Sequence, residues 1–159
     1  STPHGDMTLD IVDGLVQEDS LRISWKKGHE SQFYWQADVP ADFSQMEQDG
    51  GALVMEFMIN KYPKGSVTQR MDCGWPCRGE IDVTEFYKSI PLRQRSKVGI
   101  SLSCFKKMGV DMEKITSPLV LVSKDEFEIT FSDVRVIANA SEDNTIQLCD
   151  SEVATLLQD

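Results

Sequence analysis

The sequence predicts an all-β domain: an antiparallel β-sandwich of jelly-roll type, with about nine or ten short strands and little helix. Three observations carry this. Apolar residues recur at every second position in several separate segments. Turn-forming clusters such as Gln48-Asp49-Gly50-Gly51, Tyr62-Pro63-Lys64-Gly65 and Lys124-Asp125 part those segments. Helical signal is confined to short stretches. So many strands cannot each bury a face in one open sheet, and two packed sheets resolve that.

Taken in order, Leu9–Val16 is a weak first strand. Leu21, Ile23 and Trp25 alternate with Arg22, Ser24 and Lys26, so one face is wet. Phe33, Trp35 and Ala37 alternate with Gln32, Tyr34 and Gln36. Trp25 and Trp35 share faces with Ile23 and Phe33 and are assigned to the core, whereas Tyr34 points the other way. Leu53, Met55, Phe57 and Ile59 form the clearest inward set. Val67–Met71 and Glu80–Val83 are weaker strands. Val98, Ile100 and Leu102 form another inward set, and Leu119–Val122 is a short apolar run after Pro118. Phe127, Ile129 and Phe131 alternate with acids and a threonine, but the next apolar residues, Val134 and Val136, are out of phase. A β-bulge at Ser132-Asp133 restores the pattern and re-aims Asp133. Single helical turns fit Thr84–Ser89 and Cys104–Gly109, and a short terminal helix fits Ser151–Gln158. The organisation read from this is a linker over 1–7, a sandwich over 8–138 and an acidic tail over 139–159.

A length of 159 residues suits one domain, and 40% hydrophobic residues are enough for a core. Sixteen basic against 26 acidic residues leave a net charge of −10. That excess argues against nucleic acid, which is held by a basic face, and against an anionic membrane surface. The apolar runs fall well short of the ~20 residues a spanning helix needs. Ser1 follows no leader pattern and no initiator methionine, so the chain is expected to be a piece of a longer protein.

The chemistry on offer is limited. The two histidines, His4 and His29, lie in polar or turn segments away from any candidate nucleophile, and no nucleophile elbow, His-Glu-x-x-His run, phosphate loop or calcium-hand loop occurs. With 26 acids, a chosen carboxylate pair has no specificity. Cys73-Gly74-Trp75-Pro76-Cys77 reads as a small disulfide loop in an exported protein, with a zinc site as the lesser alternative because no second closely spaced pair exists. Cys104 reads as a small buried hydrophobe at a strand end, and Cys149 as a free thiol in the tail.

The stretch Met71-Asp-Cys-Gly-Trp-Pro-Cys-Arg-Gly-Glu-Ile-Asp-Val83, then Val98-Gly-Ile-Ser-Leu-Ser-Cys-Phe105, Gly109-Val-Asp-Met-Glu-Lys-Ile-Thr-Ser-Pro-Leu119 and Ile129-Thr-Phe-Ser-Asp-Val-Arg-Val136, resembles the extra C-terminal domain of bacterial glycoside hydrolase family 3 enzymes. Those are exo-acting β-glucosidases and β-glucan exohydrolases. The resemblance runs over roughly Leu9 to Ile137 and is most specific from Met71 to Leu119. It implies a galactose-binding-like sandwich, as many carbohydrate-binding modules have. It also implies an exported parent, secreted or periplasmic, with a Cys73–Cys77 disulfide. The nucleophile and acid/base of such enzymes lie in other domains, and the family's Ser-Asp-Trp-like nucleophile context is absent here, so no catalytic residue carries over. The implied partners are the parent's catalytic domains in cis and β-glucan or gluco-oligosaccharide, and no cofactor is required.

Sugars are held by aromatic faces flanked by planar polar groups. Trp75, on the loop stiffened by Pro76 and the disulfide, is the candidate platform, with Arg78 and Glu80 to bond hydroxyls. The plain alternative puts Trp75 against its own sheet or a neighbouring domain. Tyr34, beside Gln32 and Gln36, is a second, weaker platform. Galactose-binding-like sandwiches often hold a structural calcium near the first and last strands, for which Asp133 with Asp10 or Asp13 offers hard oxygen ligands. Tyr62 and Tyr87 are read as loop residues. The expected role is an accessory domain that packs on the catalytic core and helps shape its substrate pocket. An independent carbohydrate-binding module is the alternative, and a free-standing enzyme the least favoured.

Overall fold

The computed structural model describes residues 7–13, 19–28, 31–35, 39–138 and 146–147, with side chains at 20–28, 31–33 and 39–138. Residues 1–6 of the linker expected over 1–7, both histidines, Cys149, the helix expected at Ser151–Gln158, and the side chains of Asp10, Asp13, Tyr34 and Trp35 lie outside these residues.

Two sheets face one another, as the alternation requires. The larger is built from β1 (Met7–Asp13), β2 (Asp19–Trp25), β9 (Phe127–Ile137), β4 (Ala52–Lys61), β7 (Ser96–Ser101) and β10 (Ile146–Gln147), in that spatial order. The smaller runs β3 (Ser31–Trp35), β8 (Ser117–Ser123), β5 (Val67–Asp72), β6 (Arg78–Asp82). Neighbours are antiparallel except β10, which lies parallel to β7 with Ile146 opposite Val98.

Alternation places the core between the sheets. Ile23, Leu53, Met55, Phe57, Ile59, Val98, Ile100, Phe127, Ile129 and Phe131 point inward from the large sheet. Phe33, Val67, Met71, Ile81, Leu119 and Leu121 meet them from the small one. The middle pair of the large sheet contains the bulge. Phe57 stands opposite Phe131, but Glu56 stands opposite Asp133, so Ser132 is the extra residue. Its hydroxyl donates to the Glu56 carbonyl at 3.3 Å. The shift returns Val134 and Val136 to the apolar cluster, as the change of phase in the sequence predicts.

Three short helices close the gaps: α1 (Ser44–Gln48), α2 (Thr84–Lys88) and α3 (Leu102–Lys107). No expectation covered α1. Its start is held by the Asp42 carboxylate, which accepts hydrogen bonds from Ser44 N at 2.9 Å and Oγ at 2.6 Å. At α2 the Asp82 carboxylate accepts from Thr84 N at 2.9 Å, and Thr84 Oγ1 accepts from Val67 N at 2.8 Å. The second bond ties the helix to β5. The helical turn expected at Thr84–Ser89 is α2, so Tyr87 lies on it and not on a loop, and its ring enters the core. It stacks near Phe127 at 5.6 Å and meets Phe57 edge-on at 5.5 Å, while Phe127 stacks on Trp25 at 5.3 Å. Trp25 is core, as expected, and its Nε1 donates to the Ser31 carbonyl. Cys104 is buried in the core as expected, but not at a strand end. It lies within α3 and is disulfide-bonded.

Two stability outcomes follow from this core. Phe57 is 1% exposed. Phe57→Ala is expected to lower the unfolding free energy by about 3–5 kcal/mol, read as a reduced urea midpoint. The Tyr87 hydroxyl is buried with no hydrogen-bond partner among the described residues, and burial pushes its pKa above the ordinary tyrosine range. The unfolded chain releases this proton near pH ~10 while the folded chain keeps it. This contribution is therefore present below about pH 10 and is lost above it, by about 1.4 kcal/mol per pH unit. Tyr87→Phe should be no less stable at neutral pH and should show a shallower alkaline loss. Urea midpoints of both proteins at pH 7 and pH 11 check this, and an equal alkaline drop in the variant would refute it.

Candidate functional site

The loop between β5 and β6 is held by a disulfide and by several backbone hydrogen bonds. Cys73 and Cys77 are disulfide-bonded with their Cα atoms 5.0 Å apart. Inside this ring Cys73 N donates to the Cys77 carbonyl at 2.9 Å, and Cys77 N to the Gly74 carbonyl at 2.8 Å. Gly74 has φ +89°, a conformation glycine adopts without steric cost. Its N–H donates to Thr116 Oγ1 at 3.1 Å, and Thr116 N donates to the Asp72 carbonyl at 2.9 Å. The loop is thus laced to the segment that enters β8. The Trp75–Pro76 peptide bond is cis.

Trp75 stands at the crest of this loop and is 67% exposed. A large aromatic that wet, on a backbone that fixed, loses little further entropy when it is covered. Its ring is accompanied by two guanidinium groups, Arg78 at 4.3 Å and Arg70 at 5.1 Å from the centroid. Arg78 is itself oriented: Nε donates to Glu80 Oε1 and Nη1 to the Pro76 carbonyl, both at 2.9 Å. Of the expected sugar-contact residues, Trp75, Arg78 and Glu80 therefore form one connected group.

Strand register extends the group across the small sheet. Arg70 stands opposite Glu80 on one side and Val120 on the other, and Val120 stands opposite Tyr34. Asp72 stands opposite Arg78 and Ser117. Tyr34 thus falls in the cross-strand row of Arg70 and Glu80, although the two candidate platforms are 41 positions apart in sequence.

The sequence reading missed the centre of the site. Arg70 Nε donates to Asp72 Oδ1 at 2.6 Å and Nη2 to Asp72 Oδ2 at 3.2 Å, a two-point fork. Nη2 also donates to Gln32 Oε1 at 3.1 Å. The pair is largely sheltered, with side-chain exposures of 12% and 17%. Gln32, Arg70, Asp72, Gly74, Trp75, Thr116 and Ser117 line a depression of about 310 Å³ at the foot of the tryptophan. A signal for Arg70 and Asp72 did exist. Val67, Gln69 and Met71 are the buried half of β5, so Thr68, Arg70 and Asp72 share its outer face just before Cys73.

Asp133 is re-aimed by the bulge, and its carboxylate accepts a hydrogen bond from Arg135 Nη1. The same nitrogen donates to Glu56 Oε2 at 3.0 Å, and Arg95 Nη2 lies 3.6 Å from Glu56 Oε1. Two acids and two arginines form this network. Among the described residues no three His, Cys, Asp or Glu side chains gather to hold an ion. Asp10 stands opposite Arg22 and Asp13 opposite Asp19 in the strand register.

Met108 adds a second exposed apolar group at this end of the domain. It is 40% exposed, and it lies so close over Gly79 that a Cβ there would stand 3.1 Å from its own.

The fold is shared with solved proteins. The extra C-terminal domain of the exo-1,3/1,4-β-glucanase ExoP from a Pseudoalteromonas species superposes with a TM-score of 0.73 at 16% identity, over 92% of this chain and 78% of that one. The ExoP enzyme itself matches with a TM-score of 0.74 at 19% identity, over 91% of this chain but only 17% of the enzyme. The family 30 carbohydrate-binding module of the cellulosomal cellulase Cel9D-Cel44B of Clostridium thermocellum matches with a TM-score of 0.67 at 19% identity, over 91% of both chains. At such identities the likeness is one of fold. No curated protein matches the chain. A family match over residues 1–136 is specific to the sequence itself, and the chain belongs to Exop_C, a galactose-binding domain-like family.

Proposed function

We propose that this chain is a non-catalytic accessory domain of an exported glycoside hydrolase of family 3, a β-glucosidase or exo-β-1,3/1,4-glucanase. In this reading it packs against the catalytic domains in cis and offers the Trp75 loop to the glucan at the substrate site. The observation that carries the proposal is the exposed Trp75 ring on a loop closed by a disulfide and tied to Thr116. A rigid, wet aromatic flanked by oriented polar groups is the arrangement that stacks on a pyranose ring. Exposed Met108 near the same loop supports a packing surface at that end. The disulfides support an oxidising compartment, secreted or periplasmic.

An independent carbohydrate-binding module is the second reading. The depression beside Trp75 favours it, because a lined pocket can hold sugar without help from another domain. The fold shared with the family 30 module agrees with it.

One titration separates the two. Calorimetry of this chain with β-1,3- and β-1,4-linked gluco-oligosaccharides should show binding if it acts alone. Trp75→Ala should then weaken binding by about 2 kcal/mol, roughly thirtyfold, as truncation of a central tryptophan does. If the isolated chain gives no heat, Trp75→Ala in the parent enzyme should raise KM with kcat little changed. Unchanged KM together with absent binding would refute both readings.

A further inference from the structure

Resting on the carbohydrate reading above, we propose that the Arg70–Asp72 pair is the specificity-determining element of the Trp75 pocket, and that it clamps two neighbouring hydroxyl groups of one uncharged sugar ring. The argument is a count of hydrogen-bonding capacity. A guanidinium carries five N–H donors. Arg70 uses three of them, two on Asp72 and one on Gln32. The two hydrogens of Nη1 have no partner among the described residues. Each Asp72 oxygen accepts one of the Arg70 bonds, which leaves further lone-pair capacity on both. Gln32 accepts through Oε1, and its amide hydrogens likewise have no partner among the described residues.

These open positions belong to side chains that line the pocket, and none of them is a buried unpaired atom, so a ligand in the pocket can reach them. Donors and acceptors set side by side favour a ligand that accepts and donates together. A vicinal diol does so. One hydroxyl accepts from Arg70 Nη1 and donates to Asp72, while its neighbour accepts from Gln32 or Arg70.

Charge narrows the class. Arg70 is matched by Asp72 and Arg78 by Glu80, so the site offers no net positive charge for a uronate or sulfate. An anionic ligand would face the Asp72 carboxylate. Linkage chemistry narrows it again. An internal β-1,4-linked glucose keeps adjacent hydroxyls at C2 and C3, whereas an internal β-1,3-linked glucose keeps none. The clamp therefore takes any ring of a β-1,4 chain but only an end ring of a β-1,3 chain.

The test is calorimetric titration with cellotriose of this chain and its Arg70→Lys, Asp72→Asn and Trp75→Ala forms. A lysine cannot reproduce the fork, so Arg70→Lys and Asp72→Asn should each lose about tenfold to a hundredfold in affinity, with affinity little changed by added salt. Undiminished binding by both, with binding lost in Trp75→Ala, overturns the clamp and leaves the carbohydrate reading standing. Absence of binding by the unaltered chain overturns the carbohydrate-module reading, and the clamp with it. A second arm keeps the protein unaltered in case a variant fails to fold. Methyl 3-deoxy-β-D-glucopyranoside has no adjacent hydroxyls, and it should compete with cellotriose at least about tenfold more weakly than methyl β-D-glucopyranoside does. Equal competition overturns the clamp.

Discussion

The pairing of β4 with β9 is the constraint on which the rest depends. These two strands lie in the middle of the large sheet, and their inward residues meet those of the small sheet. A side-chain period of two means that an error of one residue would turn a whole apolar set outward. Ser132 absorbs such a step within β9. Before it, Ile129 and Phe131 face the core; after it, Val134 and Val136 do. Without the extra residue, either the first set or the second would face water. The bulge also brings Asp133 and Arg135 to Glu56, so a change in backbone register becomes a local charge network on the outer face.

With its inner face committed to the core, the small sheet is left with an outer face for other chemistry. Strands β5 and β6 carry polar side chains there, and the β5–β6 loop raises Trp75 at one end. The disulfide, the Gly74 conformation and the Thr116 bond all act on the same five-residue loop. Three independent restraints on so short a segment make the tryptophan a fixed feature rather than a wandering one. The charge pattern is equally local. In a chain of net −10, the pocket is lined by one cation–anion pair and rimmed by another. The acidic excess of the whole molecule therefore says little about what this surface holds, because fields between exposed charges are screened beyond ~8–10 Å in physiological salt.

Much of this was legible in the residues. Ile23 and Trp25, the run from Leu53 to Ile59, and the phase change after Phe131 specified strands, faces and a bulge, because alternation is a local property of the chain. The Cys73–Cys77 ring was the favoured reading of a short Cys-x3-Cys loop, whereas the exposure of Trp75 was left open and is settled by the fold. The Arg70–Asp72 fork was only half visible: spacing put both on one face of β5, but nothing in that spacing showed Gln32 arriving from β3, 38 positions away. The helical turn over Thr84–Ser89 was legible, but the burial of the Tyr87 ring was not, since a five-residue helix has too little length to show an apolar face.

The sequence by itself determined most of the strands and the inward residues along them, since each depends on neighbours within a few positions. Only the tertiary structure decided which strands stand side by side. Register between distant segments comes from the joint burial of two apolar faces, which no single segment encodes. That step puts Gln32, Arg70, Asp72 and Thr116 around one depression beside Trp75.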